Sequence, residues 1–231
     1  MGLRDHHGRV RVGHTPEVCS LLSPERKFDP KDRCEPWTSE AGMNLMNASG
    51  SLEEIAYEAR GCTLCRLHVG RAMAVAGEGP RKAALFLIGE APGRQEDEEG
   101  RPFIGMAGRI LDEALREAGL DRSEVFITNA VKCRPPDNRN PRADEMEACR
   151  SYLLRQIECV RPSVIVTLGK FGLRSLIGRG ENVSDQRERD LEFQETPVVA
   201  TYHPAGTRYN RFLRDKLLED LRRAENIARG R

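Results

Sequence analysis

The chain has 231 residues, 37 Lys and Arg against 36 Asp and Glu, and 5% aromatic residues, which is enough for one core of ordinary domain size with residues to spare. A formal net charge of +1 excludes a uniformly basic nucleic-acid binder, so any face for a polyanion must be local. No window approaches the roughly 18 apolar residues of a membrane span, and the start, "MGLRDHHGRVRVGHTP", lacks an apolar signal-peptide stretch, which argues for a cytosolic or nucleoid-associated protein.

Residues 1–48 scatter Pro, Gly, His and charge without a countable period and read as an irregular N-terminal extension, whereas 49–231 read as the folded domain. Met43 and Met46 stand just before the first helix start and are alternative starting points for the native chain, a matter for the intact mass of protein from its source. In "NASGSLEEIAYEAR" Ser51 can cap a helix and Glu54 can return the hydrogen bond. A segment with "CTLC", Cys62 to Cys65, follows.

Four short apolar runs come next: "AALFLIG" (83–89), "VFITNAV" (125–131), "SVIVTLG" (163–169) and "TPVVATYHP" (196–204). Each is rich in Val, Ile, Leu or Phe and too short for a helix. Amphipathic stretches lie between and after them: "GMAGRILDEALREAGL", ending at Gly119, "PRADEMEACRSYLLRQIECV" and "YNRFLRDKLLEDLRRAENIA". Apolar strands alternating with amphipathic helices predict an α/β fold, a three-layer α/β/α sandwich with a central, mainly parallel four-stranded sheet. Such sheets bind ligands beyond the carboxyl ends of their strands, and "GEAPG", "NAVKCRPP", "GK" and "YHP" all fall there.

The loop "GEAPGRQEDEEGRPFIG", Gly89 to Gly105, holds five carboxylates. Glycines after a strand suggest a phosphate cradle, but this one lacks the Lys-Ser/Thr ending and the G-x-G-x-x-G pattern, and its acids would repel a phosphate. Seven cysteines in a reducing compartment argue against a disulfide framework. Cys62, Cys65, Cys133 and Cys149 could surround a tetrahedral metal or an iron-sulfur cluster, between which spacing does not choose, while a redox motif is the competing reading of C-x-x-C. Cys19, Cys34 and Cys159 read as bystanders, Cys159 on the buried face of its helix.

"GEAPGRQED", "GRPFIGMAG", "ITNAVKCRPP", Cys149 and "YHPA" together resemble the family 4 uracil-DNA glycosylases, thermostable enzymes with a [4Fe-4S] cluster. The likeness runs from about Gly61 to the C-terminus and implies that family's fold. It further implies a monofunctional base-excision-repair hydrolase, acting as a monomer on single- or double-stranded DNA that contains uracil. By the resemblance, Cys62, Cys65, Cys133 and Cys149 ligate the cluster. Gly89, Glu90 and Ala91 wall the uracil pocket, Phe103 stacks on the flipped base, Asn129 bonds its edge and His203 faces its O2.

Glu90 is the favoured acid for the attacking water and Glu96 the second, because Ala91 stands where family 1 enzymes keep an aspartate. Asp97 is a further acid of that motif, and Glu98 and Glu99 read as a solvated edge. Lys132, Arg134, Arg139 and Arg142, with Arg208, Arg211, Arg214 and Lys216, flank strand ends and could neutralise DNA phosphates. Arg208 and Tyr209 are candidates for a minor-groove wedge, since "AGTRYN" departs from the family's more apolar loop. A UDGX-type protein, which traps its product covalently through a histidine in an inserted loop, is disfavoured because "CRPPDNRNP" has neither histidine nor insertion.

Overall fold

The computed structural model of the chain describes residues 3–4, 10–11, 51–178 and 182–230. The expectations for Cys19, Cys34, Met43 and Met46, and nearly all of the predicted irregular extension, lie outside those residues.

Among the described residues seven strands form one sheet. Leu3–Arg4 (β1) and Val10–Arg11 (β2) are two-residue strands, and Leu85–Gly89 (β3), Phe126–Asn129 (β4), Val164–Leu168 (β5), Leu191–Phe193 (β6) and Thr196–Thr201 (β7) follow in the chain. Across the sheet the order is β1-β2-β6-β7-β5-β3-β4. The four expected strands are β3, β4, β5 and β7, and they run parallel to one another. All four carboxyl ends therefore open on one edge.

The sheet is wider than expected because β6 adds an antiparallel strand beside β7, and β2 pairs in turn with β6. β6 escaped notice for a local reason. It is three residues long and joins β7 through Gln194 and Glu195, both with positive φ (47° and 68°), where a tight hairpin ordinarily advertises itself with Asn-Gly or Gly.

Among the described residues there are eight α-helices: Leu52–Gly61 (α1), Arg94–Glu99 (α2), Met106–Ala118 (α3), Ala143–Val160 (α4), Gly169–Ile177 (α5), Val183–Gln186 (α6), Pro204–Thr207 (α7) and Arg211–Ala228 (α8). Both arms of the predicted capping box form at α1, Glu54 N–H to Ser51 Oγ at 3.2 Å and Ser51 N–H to Glu54 Oε2 at 2.6 Å. One face of the sheet buries Leu85, Leu87 and Val166 under Leu111 and Leu115 of α3 and Leu217 and Leu221 of α8. The other buries Phe86, Ile88 and Ile165 under Leu153 and Ile157 of α4 and Leu173 of α5. Consecutive residues of β3 thus point to opposite sides, and both sides are apolar because both are covered.

A third, smaller core joins Ile55 and Ala59 of α1 to Met146, Cys149 and Tyr152 of α4 and to Ala130, Val131 and Cys133 just beyond β4. It hangs the segment holding Cys62 and Cys65 beside the carboxyl end of the sheet.

Candidate active site and cysteine centre

The register of β3 and β4 sets two of the expected site residues side by side. Gly89 stands opposite Asn129, and the ladder continues past the strand ends through Ala130 N–H to Gly89 O at 3.0 Å and Val131 N–H to Glu90 O at 3.2 Å. A Cβ on Gly89 would collide with both Asn129 Oδ1 and the Phe103 ring. Only a glycine lets these two groups close on the same space.

Asn129 is 1% exposed, yet its Oδ1 has no hydrogen-bond partner. An unpaired buried acceptor costs about 1–3 kcal/mol, which a donor brought to Oδ1 would offset. The Phe103 ring is buried and lies 5.8 Å, centroid to centroid, from that of His203. Phe103 has φ +49°, a conformation that a bulky side chain adopts only when its surroundings impose it.

His203 follows β7 and caps α7, where its Nδ1 accepts the Ala205 N–H at 3.2 Å. Burial pushes its pKa down to about 4. The ring is therefore neutral near pH 7 with its proton on Nε2, free to donate. Glu90, next along from Gly89, is half-buried, and burial raises its carboxyl to about 7. Glu90, Phe103, Asn129 and His203 thus come from the ends of β3, β4 and β7 and from the loop after α2. Ala91 is half-buried and packs against the small core around the cysteines.

Glu96 departs from its expected place among the catalytic acids. Its Oε1 accepts the backbone N–H groups of Ile104 at 3.0 Å and Gly105 at 2.8 Å, so it caps the start of α3 and ties α2 to the loop carrying Phe103. Asp97 is likewise engaged, accepting the Ala72 N–H at 3.1 Å. Glu98 is exposed and paired with Arg94 at 2.7 Å, as a solvated edge would be.

Two of the expected phosphate contacts need correction. Lys132 is 1% exposed, and its ammonium donates to Thr128 Oγ1 at 2.6 Å, Gln156 Oε1 at 2.7 Å and Asn129 O at 2.9 Å. It is enclosed beneath the pocket and not available to DNA, and burial lowers its pKa to about 8. Arg139 makes a two-armed ion pair with the fully buried Glu145, at 2.6 and 2.8 Å, anchoring the start of α4. Arg134 is half-buried and holds Asn138 at 2.8 Å, while Arg208, just after α7, and Arg211, the first residue of α8, are exposed.

The guanidinium of Arg208 lies 4.8 Å from the centre of the Tyr209 ring, which is 85% exposed. Phe212, not singled out in the sequence because it sits inside an amphipathic pattern, is also exposed. Arg122 was missed too. It reaches across to the carbonyls of Pro102 and Phe103 at 2.7 and 3.1 Å, and nothing in a charged residue after a helix end signals that contact.

Cys62, Cys65, Cys133 and Cys149 line one pocket with Arg71, Lys132 and Tyr152. Among the described residues no three His, Cys, Asp or Glu side chains are grouped to hold a single metal ion. Three of the four sulfurs already receive N–H groups: Cys133 from Arg71 at 3.0 Å, Cys149 from the Lys132 backbone at 3.2 Å and Cys62 from the Leu64 backbone at 3.5 Å. Burial raises the thiols of Cys65 and Cys133, and that of Cys149 to about 11. A bound cationic centre would reverse that preference and hold them as thiolates, whose charge those N–H groups could meet.

The family model described as the uracil DNA glycosylase superfamily matches residues 76–223. The type-4 uracil-DNA glycosylase of Sulfurisphaera tokodaii is 46% identical over 187 residues, covering 77% of this chain and 85% of that protein. Those of Archaeoglobus fulgidus and Thermotoga maritima are each 40% identical, over 75% and 76% of this chain and 91% and 94% of their own lengths. The residues gathered at the carboxyl edge of a parallel sheet agree with these likenesses, and the chain belongs to the uracil-DNA glycosylase superfamily, within it to the type-4 uracil-DNA glycosylases.

Proposed function

We infer that the protein is a base-excision-repair enzyme that extrudes uracil from DNA and hydrolyses its N-glycosidic bond, leaving an abasic site. The observation that carries this reading is the unpaired, buried Asn129 Oδ1 facing the Phe103 ring across Gly89. Uracil offers an N3–H donor beside its O4 acceptor, and a primary amide meets both at once, whereas cytosine presents the reverse pattern. Extrusion costs a few kcal/mol, and stacking on Phe103 recovers about 1–3 kcal/mol of it.

As the C1′–N1 bond breaks, the sugar gains positive charge and the departing uracil negative charge. His203, neutral and holding its proton on Nε2, donates to O2 where that charge develops. Glu90, with its carboxyl near 7, takes a proton from the attacking water and in its ionised form opposes the charge on the sugar. Gly89 and Ala91 complete the wall. Arg134, Arg208 and Arg211 supply phosphate contacts around the mouth, and the exposed Tyr209 is the wedge that fills the vacated stack.

The four thiols facing one pocket, with N–H donors on their sulfurs, support Cys62, Cys65, Cys133 and Cys149 as ligands of a [4Fe-4S] cluster, iron over zinc resting on the family likeness. The cluster supplies a structural, redox-silent cross-link. Among the described residues no helix is long and apolar enough to cross a membrane, which suits a cytoplasmic monomer working at DNA. Purified protein is expected to be brown with about four irons per chain; zinc without iron would overturn the cofactor. Incubated with a single-stranded oligonucleotide carrying one uracil, it is expected to leave an alkali-labile abasic site and to spare undamaged DNA. A stable covalent adduct or inert binding would instead overturn the hydrolase reading.

A further inference from the structure

Arg122 opens the short turn before β4, next to the backbone of Pro102 and Phe103. Its side chain has five N–H donors, and each has an acceptor. Nη1 donates to Asp112 at 2.7 Å and to Phe103 O at 3.1 Å, Nη2 to Pro102 O at 2.7 Å and to Glu78 at 2.8 Å, and Nε to Glu78 at 3.3 Å. Glu78 is itself fixed, its backbone bridged to Ile127 of β4 and its carboxylate shared with Arg101 at 3.0 Å. The guanidinium is thus tied to α3 through Asp112 and to the sheet through Glu78. Its two remaining arms hold consecutive carbonyls of the Pro102-Phe103 turn.

The held residue needs holding. Phe103 has φ +49°, where a bulky residue does not rest unaided. The turn also presses onto α3 so closely that a Cβ on Gly108 would collide with the Phe103 carbonyl oxygen. On the chain's other side Glu96 grips the N–H groups of Ile104 and Gly105. Phe103 is therefore bracketed, with its carbonyl fixed by Arg122 and the two following amides by Glu96.

We propose that Arg122 is a positioning residue for base capture: by clamping the Pro102 and Phe103 carbonyls it fixes the plane of the Phe103 ring against which the extruded uracil stacks. The proposal rests on the stacking role given to Phe103 above. Arg122 touches neither base nor sugar; it sets the geometry of the group that does, and a loosened ring would recover less of the cost of extrusion.

A double-mutant cycle tests this under single-turnover conditions, well below the melting temperature of every variant. Arg122→Gln is expected to lower the rate of uracil release about 10- to 100-fold, with the Kd for the DNA, measured by titration, within about twofold of the parent. In the Phe103→Ala background the same change is expected to cost less than about twofold, because the ring that it orients is gone. An equal loss in both backgrounds would overturn the proposal and leave Arg122 a structural residue. Should Phe103→Ala alone keep the parent rate, it is the stacking role of Phe103 that fails, and the proposal with it. Should Arg122→Gln not fold, Asp112→Asn, which keeps the guanidinium and loosens one anchor, runs the same cycle; additive losses there overturn the proposal as well.

Discussion

At Asn129 the fold leaves a buried acceptor without a partner, and at Glu90 it half-buries a carboxyl without an ion pair to offset the burial, raising it to about 7. Both are local costs that a stability-seeking sequence would avoid and that a bound base and water would repay. Asn129→Ala removes no intraprotein hydrogen bond of the Oδ1, so its melting temperature is expected to stay close to the parent's. Its single-turnover rate on uracil is expected to fall at least about 100-fold, equivalent to about 3 kcal/mol. Affinity for DNA carrying an abasic analogue is expected to hold; equal losses of rate and affinity would remove its specific role. For Glu90 the sign of the pH dependence follows from the shift. The free carboxyl titrates at 4.5 and the folded one near 7, so the unfolded state ionises first and the fold loses stability as pH rises between those values. Glu90→Gln is therefore expected to melt higher than the parent at pH 8 while losing most activity, and to lack the parent's rise in kcat/KM through pH 7. His203, titrating near 4, adds no further limb between pH 5 and 9. A rise at pH 7 that survives in Glu90→Gln assigns it to another group.

The elements of the fold follow from sequence period, caps and glycines, but the duties of their charged residues do not. Ser51 with Glu54 announced α1, and four apolar runs announced β3, β4, β5 and β7, because those signals lie within a few residues of one another. Helices α2, α5, α6 and α7 passed unpredicted: three have six residues or fewer, and α5 opens on Gly169, the residue directly after β5. At the site, Asn129 and His203 were legible as polar residues at strand ends. Lys132 was misread for a DNA contact because an ammonium in "KCRPP" carries no mark of the Gln156 and Thr128 acceptors that α4 and β4 bring to it. Glu96 is the same case, since which backbone amides it caps depends on how α2 packs against α3. Glu96→Ala, by leaving the Ile104 and Gly105 N–H groups unpaired, is expected to cost about 2–4 kcal/mol of stability and to lower the melting temperature by roughly 5–15 °C. Glu96→Gln, which keeps an acceptor at the same place, is expected to restore most of the stability and most of the rate. A glutamine variant that melts like the parent yet is inactive would return Glu96 to the catalytic acids.

Across the whole molecule, the sheet and the cysteine centre are coupled through one short stretch of chain. Asn129 ends β4, and Cys133 follows four residues later, with Lys132 between them donating its side chain to the Asn129 carbonyl and its backbone N–H to Cys149. Cys62 and Cys65 sit on a segment whose apolar contacts are mainly with the small core of α1 and α4, built largely from alanines and single larger side chains. That core is built from fewer buried side chains than either face of the sheet, and by the measure of about 25 cal/mol per Å² of apolar surface is expected to contribute less. The metal centre proposed above, joining residues 62 and 65 to 133 and 149, would close long loops of the unfolded chain and hold this small core in place. Stripping the metal with an oxidant and chelator is accordingly expected to lower the melting temperature on the order of 10 °C. By hydrogen exchange, residues 52–76 are expected to lose protection first, while β3, β5 and β7 keep theirs. Because Asn129 lies next to the stretch that is released, uracil excision is expected to fall in parallel with that local loss, before global unfolding, and to return when iron and sulfide are restored. Apo-protein with unchanged exchange in 52–76 would show that the small core stands without the metal, and the centre would then need another reason for its place beside the pocket.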